Sequence, residues 1–245
     1  MTRHPPLARR CHPPALDVEQ GALLVEAGGF ARFLTGSAVE AGEGIVVRTG
    51  DDSLVESGAS LISRRDPAFG DGIAMLAGDI NFGPNVGDLS GPITTPIASL
   101  RVFGTLDSLG GGGVLLTGDA VDATGSIIRS GALTVDVTDT PFFGPFSSDA
   151  GLLRAACTQG SACLGAVAAS GDVLIGLNSP GDLISLTLGS LDMTGDVFGV
   201  QVREGMELGT AGVPSLVSAG ASVALSTLFG DIRLADISLQ APFVD

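Results

Sequence analysis

Short apolar runs, each closed by glycine and aspartate, are the feature that most limits how this chain can fold. Between Ser170 and Val202, Gly-Asp followed by an apolar residue occurs three times: Gly171-Asp172-Val173, Gly181-Asp182-Leu183 and Gly195-Asp196-Val197. Runs of about five residues between such breaks have the length of strands. Helices would need longer periodic segments, and each internal glycine would cost them roughly 1 kcal/mol relative to alanine. The chain carries 37 glycines, so that cost would recur throughout. The runs also alternate as strands do. Leu133, Val135 and Val137 share one face of Ala132–Val137. In Asp231–Gln240, Ile232 and Leu234 share a face, whereas Ile237 and Leu239 fall on the other. The phase flips at Ala235-Asp236, which predicts a bend or bulge between two short strands.

A loose internal echo accompanies the alternation. "VEAGGFARFLTG" begins at Val25, "VEAGEGIVVRTG" at Val39 and "VESGASLIS" at Val55. Each copy is Val-Glu, a small residue, Gly and a short apolar run, yet no single period fits all of them. A sandwich would be expected to place Trp or Tyr in its core. An outer-membrane barrel needs aromatic girdles. The chain has neither Trp nor Tyr. A parallel β-solenoid needs only short strands, sharp corners and stacked aliphatic layers. Glycine at a corner admits positive φ, and an adjacent aspartate accepts nearby backbone N–H groups. The expected fold is therefore all-β: a single-stranded right-handed parallel β-helix with short Gly/Asp-rich turns. Residues 1–20 read as a Pro/Arg-rich tail, and residues 21–245 as the solenoid, with a loop excursion near 139–163.

Composition narrows the function classes. At 44% hydrophobic residues and 16% charged, the chain can bury a core and is unlike a disordered polymer. A net charge of −15 argues against nucleic acid and anionic membrane surfaces as partners. Membrane insertion is not expected either. The long uncharged stretch Leu208–Gly230 is interrupted by Gly, Ser, Thr and Pro, a poor mixture for a spanning helix. The N-terminus has basic residues but no apolar segment of the secretory type. Cys157 and Cys163 flank a tight loop, "CTQGSAC", which suits either a small-loop disulfide in an oxidising compartment or two reduced thiols. Cys11 beside His12 offers too few ligands for zinc.

The units "AGDINFG", "SGDVLIGL", "TGDVFGVQV", "SAGASVAL" and "FGDIRLADISLQA" resemble the degenerate repeats of filamentous-haemagglutinin-like bacterial exoproteins. The resemblance covers most of 76–241 and, more weakly, 21–63. It implies a right-handed β-helix shaft, secretion to the cell surface or medium, and a role in adhesion or contact-dependent delivery within a larger protein. The chain departs from that pattern in having few Asn and no recognisable secretion-guiding module, so it is expected to be a piece of a longer exported protein or a divergent relative.

Three segments are candidates for chemistry. The Gly-Asp units could hold calcium if carboxylates from adjacent coils shared an ion. However, their spacing is irregular, and "LGGGGVLLTGD" (109–119) brings its Asp too late, so corner-turning is the expected role. Phe142, Phe143 and Phe146, in "DTPFFGPFSSD", sit among Pro and Gly and form the candidate ligand-binding residues, either gripping a partner or covering the core. Arg64, Arg65, Asp66 and Asp71 form the densest charge cluster and would be the site of a β-helical polysaccharide lyase or hydrolase. Both histidines, His4 and His12, lie in the tail and leave none for a triad. The reading is a non-enzymatic structural or adhesive segment with no catalytic residue, metal or cofactor and with a host-surface or carbohydrate partner. A carbohydrate-active enzyme and a calcium-stabilised repeat module are the alternatives.

Overall fold

The computed structural model describes residues 15–64, 72–78, 98–109, 111–137, 157, 160–178 and 182–244. Among them there are strands and turns but no helix. The strands come in successive tiers. The first tier is β1 (Ala15–Val18), β2 (Leu23–Ala27) and β3 (Ala31–Phe33). The second is β4 (Ala38–Ala41), β5 (Ile45–Thr49) and β6 (Ser53–Val55), and the third is β7 (Ser60–Ser63), β8 (Ile73–Ala77) and β9 (Ser99–Val102). The central tiers contain β10 (Thr105–Ser108), β11 (Val114–Gly118), β12 (Ala120–Ser130), β13 (Leu133–Val137), β14 (Ser161–Ala169), β15 (Val173–Ile175), β16 (Ser185–Met193), β17 (Val197–Val202) and β18 (Gly205–Leu208). The last are β19 (Ser215–Ser218), β20 (Ser222–Thr227), β21 (Ile232–Leu234), β22 (Ile237–Gln240) and β23 (Phe243–Val244).

Each strand pairs in parallel with its counterparts in the adjacent tiers, so three ladders run through the molecule. Ladder one starts β1-β4-β7-β10 and ends β19-β22; ladder three starts β3-β6-β9 and ends β18-β21. Ladder two is the nine-stranded sheet β2-β5-β8-β11-β13-β15-β17-β20-β23. The long strands β12, β14 and β16 serve two ladders: their first halves lie in ladder three and their second halves in ladder one. They join the two ladders into one fourteen-stranded sheet. Ala15 lies beside Ala38 and Ala38 beside Ser60, steps of 23 and 22 residues.

Alternation along each strand sends one set of side chains inward. In ladder two the inward column runs Ile45, Ile73, Val114, Leu133, Val173, Phe198 and Val223, and all seven are buried. Equivalent columns in the other ladders include Leu61, Leu106 and Ile128, and Val55, Val102 and Leu164. These columns form one continuous apolar core. Outward positions carry ion pairs between adjacent tiers, such as Arg48 with Glu26, Arg129 with Asp107 and Arg233 with Glu207. Exposed pairs of this kind contribute about 0–1 kcal/mol each.

The structure explains why the internal echo has no single period. Val25, Val39 and Val55 belong to β2, β4 and β6, which lie in ladders two, one and three. The echo therefore marks a strand followed by a corner, and a tier holds three of these. The expected phase flip at Ala235-Asp236 falls between β21 and β22, where the chain passes from ladder three to ladder one. Asp236 is the one non-glycine residue with positive φ (48°) among the described residues. The first strand begins at Ala15, ahead of the boundary expected at Gly21, because Leu16 and Val18 continue the inward alternation directly after the Pro13-Pro14 pair.

Nine of the described glycines have the positive φ expected at corners, Gly21, Gly36 and Gly58 among them, but other corner glycines do not. Gly131, Gly171 and Gly195 occupy the corner between ladders one and two, and none of them has positive φ. They are needed for close approach. A Cβ on Gly131 would run into the Gly111 carbonyl, one on Gly195 into the Gly171 carbonyl, and one on Gly171 would sit 2.7 Å from the Gly131 oxygen. Stacked corners leave no room for a side chain pointing along the stack.

Candidate functional site

The corner between ladders two and three differs from the other two. It is crossed by short links in some tiers, such as Val202 to Gly205. In two tiers the interval is long: Ala77 to Ser99, and Val137 to Ser161. A third, Ile175 to Ser185, is intermediate. Extra chain in a stacked fold collects where it least disturbs the ladders, and such insertions commonly form the binding side. This edge is the candidate functional site.

Aspartates fasten the chain where it re-enters the ladders here. Asp119 Oδ2 accepts from the backbone N–H of Ala98 at 2.8 Å. Asp52 Oδ1 accepts from Ser99 N–H at 2.7 Å, and its Oδ2 lies 3.9 Å from Arg101. Both bonds secure the first residues after the long third-tier interval. Asp122, which is buried, turns back on Thr124, accepting from its backbone N–H at 3.2 Å and its hydroxyl at 2.8 Å. On the neighbouring outward face, Asn178 Nδ2 donates to Asp136 Oδ2 at 2.5 Å. Asp136 is 9% exposed, and its Oδ1 has no hydrogen-bond partner among the described residues.

A disulfide marks the other re-entry point. Cys157 and Cys163 are joined, with Cα atoms 5.8 Å apart. Cys163 lies in β14 beside Asp122 of β12, so the bridge ties the end of the Val137–Ser161 interval to ladder three. Both cysteines are buried. Phe142, Phe143 and Phe146 belong to this interval and lie outside the described residues, as does most of the excursion expected near 139–163.

The other sequence candidates separate in space. Asp172 and Asp182 are half-buried at turns, and Asp196 is exposed at the next corner. Asp172 Oδ1 accepts from the backbone N–H groups of Asp196 at 3.0 Å and Val197 at 2.9 Å, one tier away. Gly171-Asp172 is thus a staple between tiers: glycine permits the approach and aspartate takes the N–H groups left free at the corner above. Asp236 does the same for Gly212 at 2.5 Å. Arg64 follows β7 and bonds Glu40, which holds the Glu40 carboxyl below its ordinary range and raises the Arg64 guanidinium above its own. Arg65, Asp66 and Asp71 lie outside the described residues. Among the described residues, no group of three His, Cys, Asp or Glu side chains is placed to hold a metal ion.

Sequence reasoning weighed Asp119 only as a calcium ligand that comes too late, and did not single out Asp52 or the Asp136–Asn178 pair. Asp119 had a signal, since Gly118-Asp119-Ala120 is one more Gly-Asp-apolar unit. Asp136 had none, because an outward Asp between Val135 and Val137 reads as an ordinary solvated strand position. No protein-family model, curated protein or solved structure matches this chain.

Proposed function

We propose that this chain is a single-stranded right-handed parallel β-helix acting as a structural or adhesive segment of a bacterial secreted or cell-surface protein. The reading rests chiefly on one observation: the chain visits three parallel ladders in fixed rotation and gathers its longest inter-strand intervals at one corner. Such a shaft is rigid, and its loop-bearing edge presents contacts at intervals along its length. The buried Cys157–Cys163 disulfide supports passage through an oxidising compartment. The carboxylates described at the edge bond backbone and neighbouring side chains, which supports a binding role over acid–base chemistry. The partner is a host-surface or carbohydrate ligand, and Phe142, Phe143 and Phe146 are its proposed contacts.

Binding of the purified chain to immobilised glycans and to epithelial cell surfaces tests this reading. The expected result is binding that a Phe142→Ser, Phe143→Ser, Phe146→Ser triple variant loses while its circular dichroism is unchanged. Cleavage of an acidic polysaccharide, lost in Asp66→Ala or Asp71→Ala, would overturn it in favour of an enzyme.

A further inference from the structure

Ladder one presents an open outward face in the middle of the stack. Two rows of outward positions cross it there. One is Thr105, Ile127, Ala166 and Ser190; the other is Asp107, Arg129, Ala168, Asp192 and Leu216. Ile127 and Leu216 are 45% and 41% exposed, and Ala166 and Ala168 between them are exposed too. Outward positions on a solvated strand are expected to be polar. The charges here are also incomplete. Elsewhere outward charges pair between adjacent tiers, as Arg48 does with Glu26. Asp192 is exposed, and its row neighbours Ala168 and Leu216 offer it no counter-charge. Arg129 pairs with Asp107 at 3.1 Å, yet its side chain stays 57% exposed. Arg129 and Asp192, opposite in sign, thus stand one tier to either side of Ala168.

That spacing makes the face complementary to itself. We infer that two copies of this chain pack side by side through it. A two-fold axis along β14, in the plane between the faces, sets Ala166 and Ala168 each against its own counterpart. It also brings Arg129 of each copy opposite Asp192 of the other, and Ile127 opposite Ser190. The other two-fold in that plane, along the stack, would set Arg129 against Arg129. The tiers of the two copies therefore run in opposite directions. Alanines at the axis let the faces approach closely, and an ion pair flanks this apolar centre on either side. The contact is isologous, so association ends at a dimer. Ladder one does not border the corner between ladders two and three, so the candidate site stays open in the pair.

Sedimentation velocity across a concentration series tests the proposal, in about 0.15 M salt to screen the −15 charge of each copy. The wild-type chain is expected to pass from monomer to dimer and to form nothing larger. Asp192→Arg sets like charges against each other twice across the axis and stays monomeric, as does Arg129→Glu, each with the circular dichroism of the wild type. An equimolar mixture of the two variants forms a one-to-one dimer, because one ion pair is kept and the other returns with its signs exchanged. Ala168→Arg leaves both pairs intact but crowds two cations at the axis, and it also stays monomeric. A wild-type chain that remains monomeric overturns the proposal and leaves the face to a partner of another kind. Growth past the dimer, or undiminished association of Asp192→Arg or Ala168→Arg, overturns it as well. A mixture that fails to associate contradicts the Arg129–Asp192 register.

Discussion

Phe198 and Leu234 both face inward from a strand, yet Phe198 is fully buried and Leu234 is half exposed. The middle tiers and the terminal tiers use the same alternation and the same aliphatic residues. What differs is the neighbour. Phe198 has β15 on one side and β20 on the other; Leu234 has β18 on one side only. Burial in this architecture is thus a property of position in the stack. Fully burying a side chain of this size is worth roughly 1.5–3 kcal/mol, so the middle tiers carry most of the stability.

The largest predicted effect tests that contrast. Phe198→Ala should cost about 3–5 kcal/mol in denaturant unfolding. Leu234→Ala should cost less than about 1 kcal/mol, as for a surface position. Equal costs would remove the distinction between the two regions. Next comes the glycine corner. Gly131→Ala should destabilise by about 1–3 kcal/mol, since the new methyl meets backbone that cannot move aside. A neutral outcome would show that the stacked corner is looser than described.

Smaller effects sharpen the picture of the staples. Asp172→Ala leaves two corner N–H groups without their acceptor and should cost about 1 kcal/mol, the usual value for a lost cap. Amide exchange at Asp196 and Val197 should accelerate in that variant, and unchanged protection would mean that the bonds are not made. At the N-terminal end, Glu56 accepts from the backbone N–H and hydroxyl of Thr35 and from Arg32. These bonds, the Thr35 N–H foremost, hold its carboxyl below the ordinary range. A carboxylate depressed in the folded state stabilises above its unfolded pKa, and that contribution is lost as pH falls through the folded value. NMR titration should place the Glu56 midpoint below that of an unpaired glutamate. Glu56→Gln should leave the N-terminal tiers less sensitive to acid than the wild type.

Much of the architecture was legible because it depends on period and punctuation. Leu133, Val135 and Val137 announce a strand by alternation, and Ala235-Asp236 announces a corner by breaking it. The parallel pairing suited the lack of Trp and Tyr and the many short runs. The tier length was not legible, because Val25, Val39 and Val55 repeat one local solution at three different corners. A residue's ladder is decided by a partner one tier away, 22 to 24 positions off for Ala15, Ala38 and Ser60 in ladder one and for Ala166 and Ser190 further along it, but 47 positions off from Val55 to Val102. The reason for glycine at Gly131 and Gly195 was likewise hidden, since close approach along a stack depends on a neighbour from another tier. At the candidate site, Asp119 shared the Gly-Asp signature, but Asp52 and Asp136 acquire their partners only through folding.

The central claim is that the ladders stack in register along one axis. Spin labels at Leu24→Cys and Ala224→Cys, in a Cys11→Ser background, test it most directly. Both residues face outward in ladder two, in β2 and β20, seven strand steps apart. At about 4.8 Å per step, double electron–electron resonance should give a single distance near ~34 Å, broadened by the label arms. A distance far shorter than this, or a broad distribution with no defined maximum, would contradict the stacked arrangement.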